Sequence, residues 1–189
     1  MTTSVNKESH GDTLSPSPAG GGGTGRGRQS AASPDWRFLF RHPAHFFALG
    51  LGSGLAPKAP GTAGSAVAIP LYLALAYFLP QPWLLAVVAA SFLVGIWFCD
   101  VTGKALGEAD FGGIVWDEIV AVWLVLVFTP MTVWWYGAAF ALFRLFDIWK
   151  PFPIGYFDRH THGGFGVMLD DLLAAAYTIG IIRFALLLI

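Results

Sequence analysis

The chain has 189 residues, of which 55% are hydrophobic and only 12% charged, with a formal net charge of −1 and a single cysteine. With a mean hydropathy of +0.60, this composition excludes an ordinary soluble domain and points to one domain embedded in a membrane. The near-neutral balance gives no reason to expect nucleic acid as partner, and the lone Cys99, at the end of an apolar run, excludes an internal disulfide framework and reads as a buried structural thiol.

Residues 1–34 are rich in Gly, Ser, Thr and Pro and carry no apolar periodicity, as expected of a disordered tail ahead of a membrane-embedded domain over 35–189. The tail lacks the hydrophobic core and small-residue cleavage site of a secretory signal. Trp36–Phe47, WRFLFRHPAHFF, mixes aromatics with Arg37, Arg41, His42 and His45, which suits a helix lying at headgroup level. Residues 50–65, GLGSGLAPKAPGTAGS, hold glycines and prolines that oppose regular structure, while Ser53, Lys58, Thr62 and Ser65 offer polar contacts. This stretch reads equally as a plain connection or as a loop for a phosphate or headgroup; it lacks the GxxxxGK[ST] order of a nucleotide loop.

Ala63–Leu79 and Pro82–Cys99 are charge-free runs near the ~20 residues needed to cross ~30 Å of hydrocarbon, and they pair as a hairpin through Pro80, Gln81 and Pro82. Charge returns over Asp100–Glu118. Residues 119–143 are again uncharged and are divided at Thr129 and Pro130 into two short spans, and Leu172–Ile189 is a last apolar run interrupted only by Arg183. The expected fold is all-α: a polytopic membrane bundle of about four to five apolar helices with a surface helix and one polar face. If each run crosses, the 100–118 and 144–171 segments share a face with the N-terminal region. The excess of Lys and Arg there makes it the cytoplasmic one. Arg183 must snorkel or find a partner.

Charge is concentrated in Phe143–Asp171. Arg144, Asp147 and Lys150 recur every three residues and share a face if helical, and Pro151 then stops the helix. Gly163, Gly164 and Gly166 allow backbone to approach a ligand, and Asp170 and Asp171 open the final apolar run. Carboxylates gathered at headgroup level are costly unless a divalent cation neutralises them. Mg²⁺ suits oxygen ligands and phosphate, and no Cys/His cluster is spaced for zinc. The candidate metal ligands are Asp110, Asp117, Glu118, Asp147, Asp170 and Asp171. Adjacent pairs point about 100° apart on a helix, so one member can face the metal and the other a basic residue; for Asp170 and Asp171 the competing reading is capping of an apolar helix. Arg144, Lys150, Arg159 and Thr62 are the candidates for holding phosphate, with Asp147, Asp170 and His162 as the catalytic set. Asp158 reads as a ligand or as a surface partner of Arg159. Asp100, Lys104 and Glu108 read as solvated, His160 as exposed, and His42 and His45 as outside the site. Water activated beside a metal would give phosphate-ester hydrolysis.

GSGLAPKAPGTAGS, IVWDE at Ile114–Glu118, FRLFDIWKPFPI, FDR and HGGFGVMLDD, in that order over Phe47–Tyr177, resemble the phosphatidylglycerophosphatase A family. The resemblance implies a Mg²⁺-dependent enzyme of the bacterial inner membrane that takes the terminal phosphate from phosphatidylglycerophosphate, a phospholipid, to leave phosphatidylglycerol. It also implies that Asp110, Asp117, Glu118, Asp147, Lys150, Asp158, Arg159, His162, Asp170 and Asp171 are the important polar groups. A CDP-alcohol phosphotransferase needs a DGxxAR-type helix and a histidine-nucleophile phosphatase a PSGH-like run, and neither occurs here. A small ion or solute transporter using the same carboxylates is the alternative from another class. It calls for charges at mid-span, whereas these gather at the run ends.

Overall fold

The computed structural model describes residues 34–188; the tail expected over 1–34 therefore lies outside the described residues except for Pro34. Among the described residues all regular structure is helical: α1 (Trp36–Leu39), α2 (Pro43–Ala48), a 3₁₀ turn at Gly50–Leu55, α3 (Pro60–Phe78), α4 (Gln81–Leu106), α5 (Trp116–Val127), α6 (Val133–Trp149), α7 (Ile154–His160) and α8 (Gly163–Leu187).

The expected surface helix is two short ones. Asp35 Oδ1 accepts from Phe38 N at 2.8 Å to start α1, and His42 Nδ1 accepts from Ala44 N at 3.1 Å to start α2. The break falls where Pro43 holds His42 extended. Helix α2 lies across α4: Phe47 stacks on Phe98 with ring centroids 5.0 Å apart, and the buried His45 places Nδ1 3.0 Å from Thr102 Oγ1. Burial, then the nearby His42 and Arg41, push the His45 imidazole below its ordinary value of 6.5. A depressed folded value means that the unfolded chain takes up the proton first as pH falls through 6.5, so this docking contribution is present above that pH and is lost below it. Amide exchange over residues 43–48 is expected to quicken on acidification below about pH 6.5, and His45→Gln should flatten that response.

Three described helices, α3, α4 and α8, are long and apolar enough to cross a membrane. The expected α3–α4 hairpin forms, but it turns at Leu79 and Pro80, with Gln81 and Pro82 already in the first turn of α4. Helix α4 continues past Cys99 for two further turns, so Asp100 and Lys104, expected in a loop, form an i,i+4 pair at 2.6 Å on the helix. Cys99 is a buried free thiol, 3.9 Å from Met168 Sδ. Helix α5 departs most from expectation. Its 12 residues extend about 18 Å, too little to cross ~30 Å of hydrocarbon. It is packed on all sides by α3, α4, α6 and α8, with ten of its residues buried. Its tryptophans tie it to its neighbours: Trp123 Nε1 donates to Ala68 O at 3.0 Å and Trp116 Nε1 to Ser91 O at 3.1 Å.

Helix α8 begins at Gly163 rather than at Leu172. The glycines expected in a loop open the helix instead, and Gly164 is where α8 presses on α4: a Cβ there would stand 2.0 Å from the Ile96 carbonyl oxygen. Asp170 and Asp171 thus sit in the third turn, which excludes the capping reading. At the opposite end Arg183 is exposed and lines a crevice with Gln81, Thr129 and Pro130, where it reaches the polar turns instead of resting at mid-depth.

Candidate active site

The candidate residues assemble at one end of the bundle in two tiers. The inner tier is built on α5 and α8. Oxygens of Asp117, Glu118 and Asp171 lie within 4.8 Å of one another, brought together because the first turn of α5 faces the third turn of α8. Glu118 Oε1 lies 3.7 Å from Arg144 Nη1, and the same guanidinium donates to Asp147 Oδ2. Asp147 thus joins the tier through arginine. Burial leaves Asp117 Oδ1, Glu118 Oε2 and Asp171 Oδ2 without hydrogen-bond partners. Three crowded carboxylates of which only Glu118 reaches a guanidinium are an uncompensated set.

The outer tier borders a cleft of about 360 Å³ lined by Asp110, Asp158, Arg159, Thr161, His162 and Asp170, among others. Lys150 forms its bridge, with Nζ 2.6 Å from Asp158 Oδ1 and 2.5 Å from Asp170 Oδ2. The position depends on chain direction: α6 ends at Trp149, Lys150 takes left-handed φ 45°, and Pro151 prevents further helix. Burial alone would push the Lys150 ammonium down, but the hydrogen bonds it donates to Asp158 and Asp170 outweigh it and hold its pKa above the ordinary lysine range. Asp170 and Asp171 link the tiers, one facing the lysine and the other the carboxylate trio, as a 100° offset requires.

Asp117 and Glu118 do not divide in this way; both enter the trio, and Glu118 also meets Arg144. Arg144, expected on phosphate, is engaged with Glu118 and Asp147. Asp110 is exposed on the non-helical link before α5, and His162, the residue before α8, is exposed at the cleft edge. Thr62 sits in the first turn of α3 beside Gly61. Gly61 was not singled out from the sequence, although it shapes the inner tier: a Cβ there would stand 2.2 Å from Glu118 Oε1 and 3.1 Å from Arg144 Nη1. Its spacing to Ser65, a small-xxx-small pattern within a helix, is the available signal for such close packing. Gly61→Ala is expected to cut phosphate-ester hydrolysis about 10–100-fold, the range for a residue that supports a ligand, while detergent-solubilised protein still melts cooperatively.

A family model described as Phosphatidylglycerophosphatase A matches residues 46–186, which include every residue of both tiers. The chain belongs to the phosphatidylglycerophosphatase A family. Among curated relatives, phosphatidylglycerophosphatase A of Escherichia coli K12 is 44% identical over 149 residues, covering 78% of this chain and 86% of that protein. The Haemophilus influenzae protein of the same name is 48% identical over 146 residues, covering 77% and 89%. A Bacteroides thetaiotaomicron relative with the provisional name phosphatidylinositol-3-phosphatase is 42% identical over 143 residues, covering 72% and 89%. No solved structure matches the chain significantly. The transporter alternative finds no support among these relatives, all named as phosphatases.

Proposed function

We propose that this member of the phosphatidylglycerophosphatase A family hydrolyses phosphatidylglycerophosphate to phosphatidylglycerol and phosphate, with Mg²⁺ held by Asp117, Glu118 and Asp171. The observation that carries the reading is the set of unpartnered carboxylate oxygens on Asp117, Glu118 and Asp171, next along the chain to Asp170, which lines a cleft with Arg159 and His162. That donor set fits a hard divalent cation: all oxygen, anionic, and short of hydrogen bonds. Bound there, the ion would screen phosphate charge and acidify a water. Arg159 lines the cleft, Lys150 pairs with Asp158 and Asp170 of its wall, and the two supply positive charge for the phosphate oxygens. Asp170 holds the lysine in place. His162 stands where it can give a proton to the ester oxygen that leaves as the phosphorus–oxygen bond breaks. Water supplies the oxygen that the phosphate gains, and the glycerol oxygen keeps the proton.

The end of the bundle that carries both tiers is assigned to the cytoplasmic side of the bacterial inner membrane. Arg37, Arg41, Lys58, Lys104, Lys150 and Arg159 lie at that end, against Arg183 at the other among the described residues. The test is phosphate release from phosphatidylglycerophosphate by purified protein in detergent, with phosphatidylinositol 3-phosphate in parallel. Release that needs Mg²⁺, stops with EDTA and favours the glycerol headgroup is expected. Equal release with EDTA would remove the metal assignment, and preference for the inositol lipid would replace the substrate.

A further inference from the structure

The position of the inner tier along the membrane normal follows from helix register. Gln81 Nε2 donates to Val127 O at 3.2 Å, so the start of α4 is level with the end of α5. Arg183 shares the crevice with Gln81 and Thr129, which brings the end of α8 to the same level. These residues, with the exposed Trp83 and Trp134 nearby, mark the far boundary of the hydrocarbon zone. The near boundary has its own marks. Asp100 and Lys104 are the first charges of α4 and pair in the open. Asp100 also adjoins Gly163 and Gly164 at the start of α8. Helix α2, with its aromatics and histidines, crosses α4 at the same height, with His42 against Trp97 and His45 against Thr102. Gln81 to Asp100 along α4 is about 28 Å and Gly163 to Arg183 along α8 about 30 Å, so both measures reproduce the thickness of a hydrocarbon core.

On this scale the carboxylates are deep. Asp171 is about 12 Å below Gly163 and about 18 Å above Arg183 along α8. The α5–α4 register agrees: Trp116 reaches Ser91 and packs at Gly95, and Asp117 and Glu118 follow it directly. Resting on the functional reading above, we infer that the Asp117–Glu118–Asp171 trio lies inside the hydrocarbon zone, about 10–12 Å beneath the near headgroup level, and that a lipid phosphoester approaches it from the side of the polar cleft, whose wall includes Asp170, the neighbour of Asp171. This is deeper than the headgroup-level surface expected from sequence. The short α5 makes it possible, because a helix that began at the near boundary would carry its first turn to the surface. The depth has a chemical consequence. Water and counterions are scarce there, so fixed charges act more strongly on phosphate than they do at the bilayer surface. The released anion must leave upward past Lys150 and Arg159.

A nitroxide on Leu93→Cys reads this depth directly. Leu93 is 67% exposed on α4 and shares a hollow with Val120 and Leu172, the near neighbours of Glu118 and Asp171. Cys99 is fully buried, and labelling with and without Cys99→Ala separates its signal. The full-length protein is placed in phosphatidylglycerol/phosphatidylcholine vesicles, and collisions of the label with oxygen and with a water-soluble nickel chelate are compared. The expected Leu93 reading is about 10–12 Å below the phosphate-side boundary, with Lys104→Cys reading as aqueous and Trp83→Cys as interfacial. A Leu93 label at headgroup depth, or as open to nickel as Lys104, would overturn the inference. Phosphate release is assayed in the same vesicles: continued hydrolysis with a shallow Leu93 ends the depth inference alone, while a deep Leu93 without hydrolysis ends the functional reading alone.

Discussion

Asp171→Asn is expected to abolish phosphate release and, at the same time, to raise the melting temperature of the metal-free protein. Opposite signs arise because Asp171 crowds Asp117 and Glu118 in a buried site whose nearby guanidinium is already shared with Asp147. Without a cation, an amide in place of one carboxylate removes repulsion and desolvation cost together. Replacement of buried ionic groups by neutral ones stabilises proteins by roughly 1–4 kcal/mol in favourable cases, and each kcal/mol moves the midpoint about 2–4 °C for a chain of this size. The same change deletes a ligand of the proposed Mg²⁺. Hydrolysis should fall on the order of 10³-fold, beyond the 10–100-fold typical of residues that only support a ligand. Wild-type protein should melt higher as Mg²⁺ is added, by mass action on the folded state, whereas the variant should not respond. Paired melting curves with EDTA and Mg²⁺ check this. A variant that melts lower than wild type in EDTA and retains a Mg²⁺ response would show Asp171 to be a packing residue.

The reading of the bundle from sequence succeeded where a helix meets lipid and failed where it meets protein. Helices α3, α4 and α8 declare themselves as charge-free runs because the bilayer demands that length of apolar sequence. Helix α5 has the same composition for a different reason. It is apolar all round because other helices enclose it, and composition does not distinguish a lipid wall from a protein one. Likewise, Gly163, Gly164 and Gly166 carry the signature of a loop, but Gly164 serves close approach to α4, a tertiary fact absent from local pattern. Within the site, the residue types were legible because ionisable groups are so expensive in this setting. Their pairing was not. Arg144 has the chemistry to hold phosphate, and only the packing of α6 beside α5 reveals that Glu118 and Asp147 engage it. The offset of Asp170 from Asp171 followed from helical geometry alone, once both were on one helix.

Lys150→Met should be the second most damaging change, for a reason opposite to that of Asp171. The lysine is the shared cation of Asp158 and Asp170, and its removal leaves two carboxylates facing each other across the cleft. Breaking a fully buried pair costs about 3–5 kcal/mol; with the Lys150 side chain 26% exposed, water takes part of that charge and the expected loss is about 1–3 kcal/mol. Activity should fall about 10²-fold or more, since the site loses a charge proposed to bind phosphate and Asp170 loses the group that orients it beside Asp171. Lys150→Arg is not a conservative remedy, because a planar fork at a left-handed residue directs its donors differently from an ammonium. The double variant Lys150→Met/Asp158→Asn separates the two losses: neutralising one of the stranded carboxylates should recover most of the melting temperature and none of the activity. If the double variant recovers activity as well, the lysine does no more than neutralise Asp158, and the phosphate is held by Arg159 without it. If it recovers neither, the strained backbone at position 150, rather than its charge, is what the side chain secures.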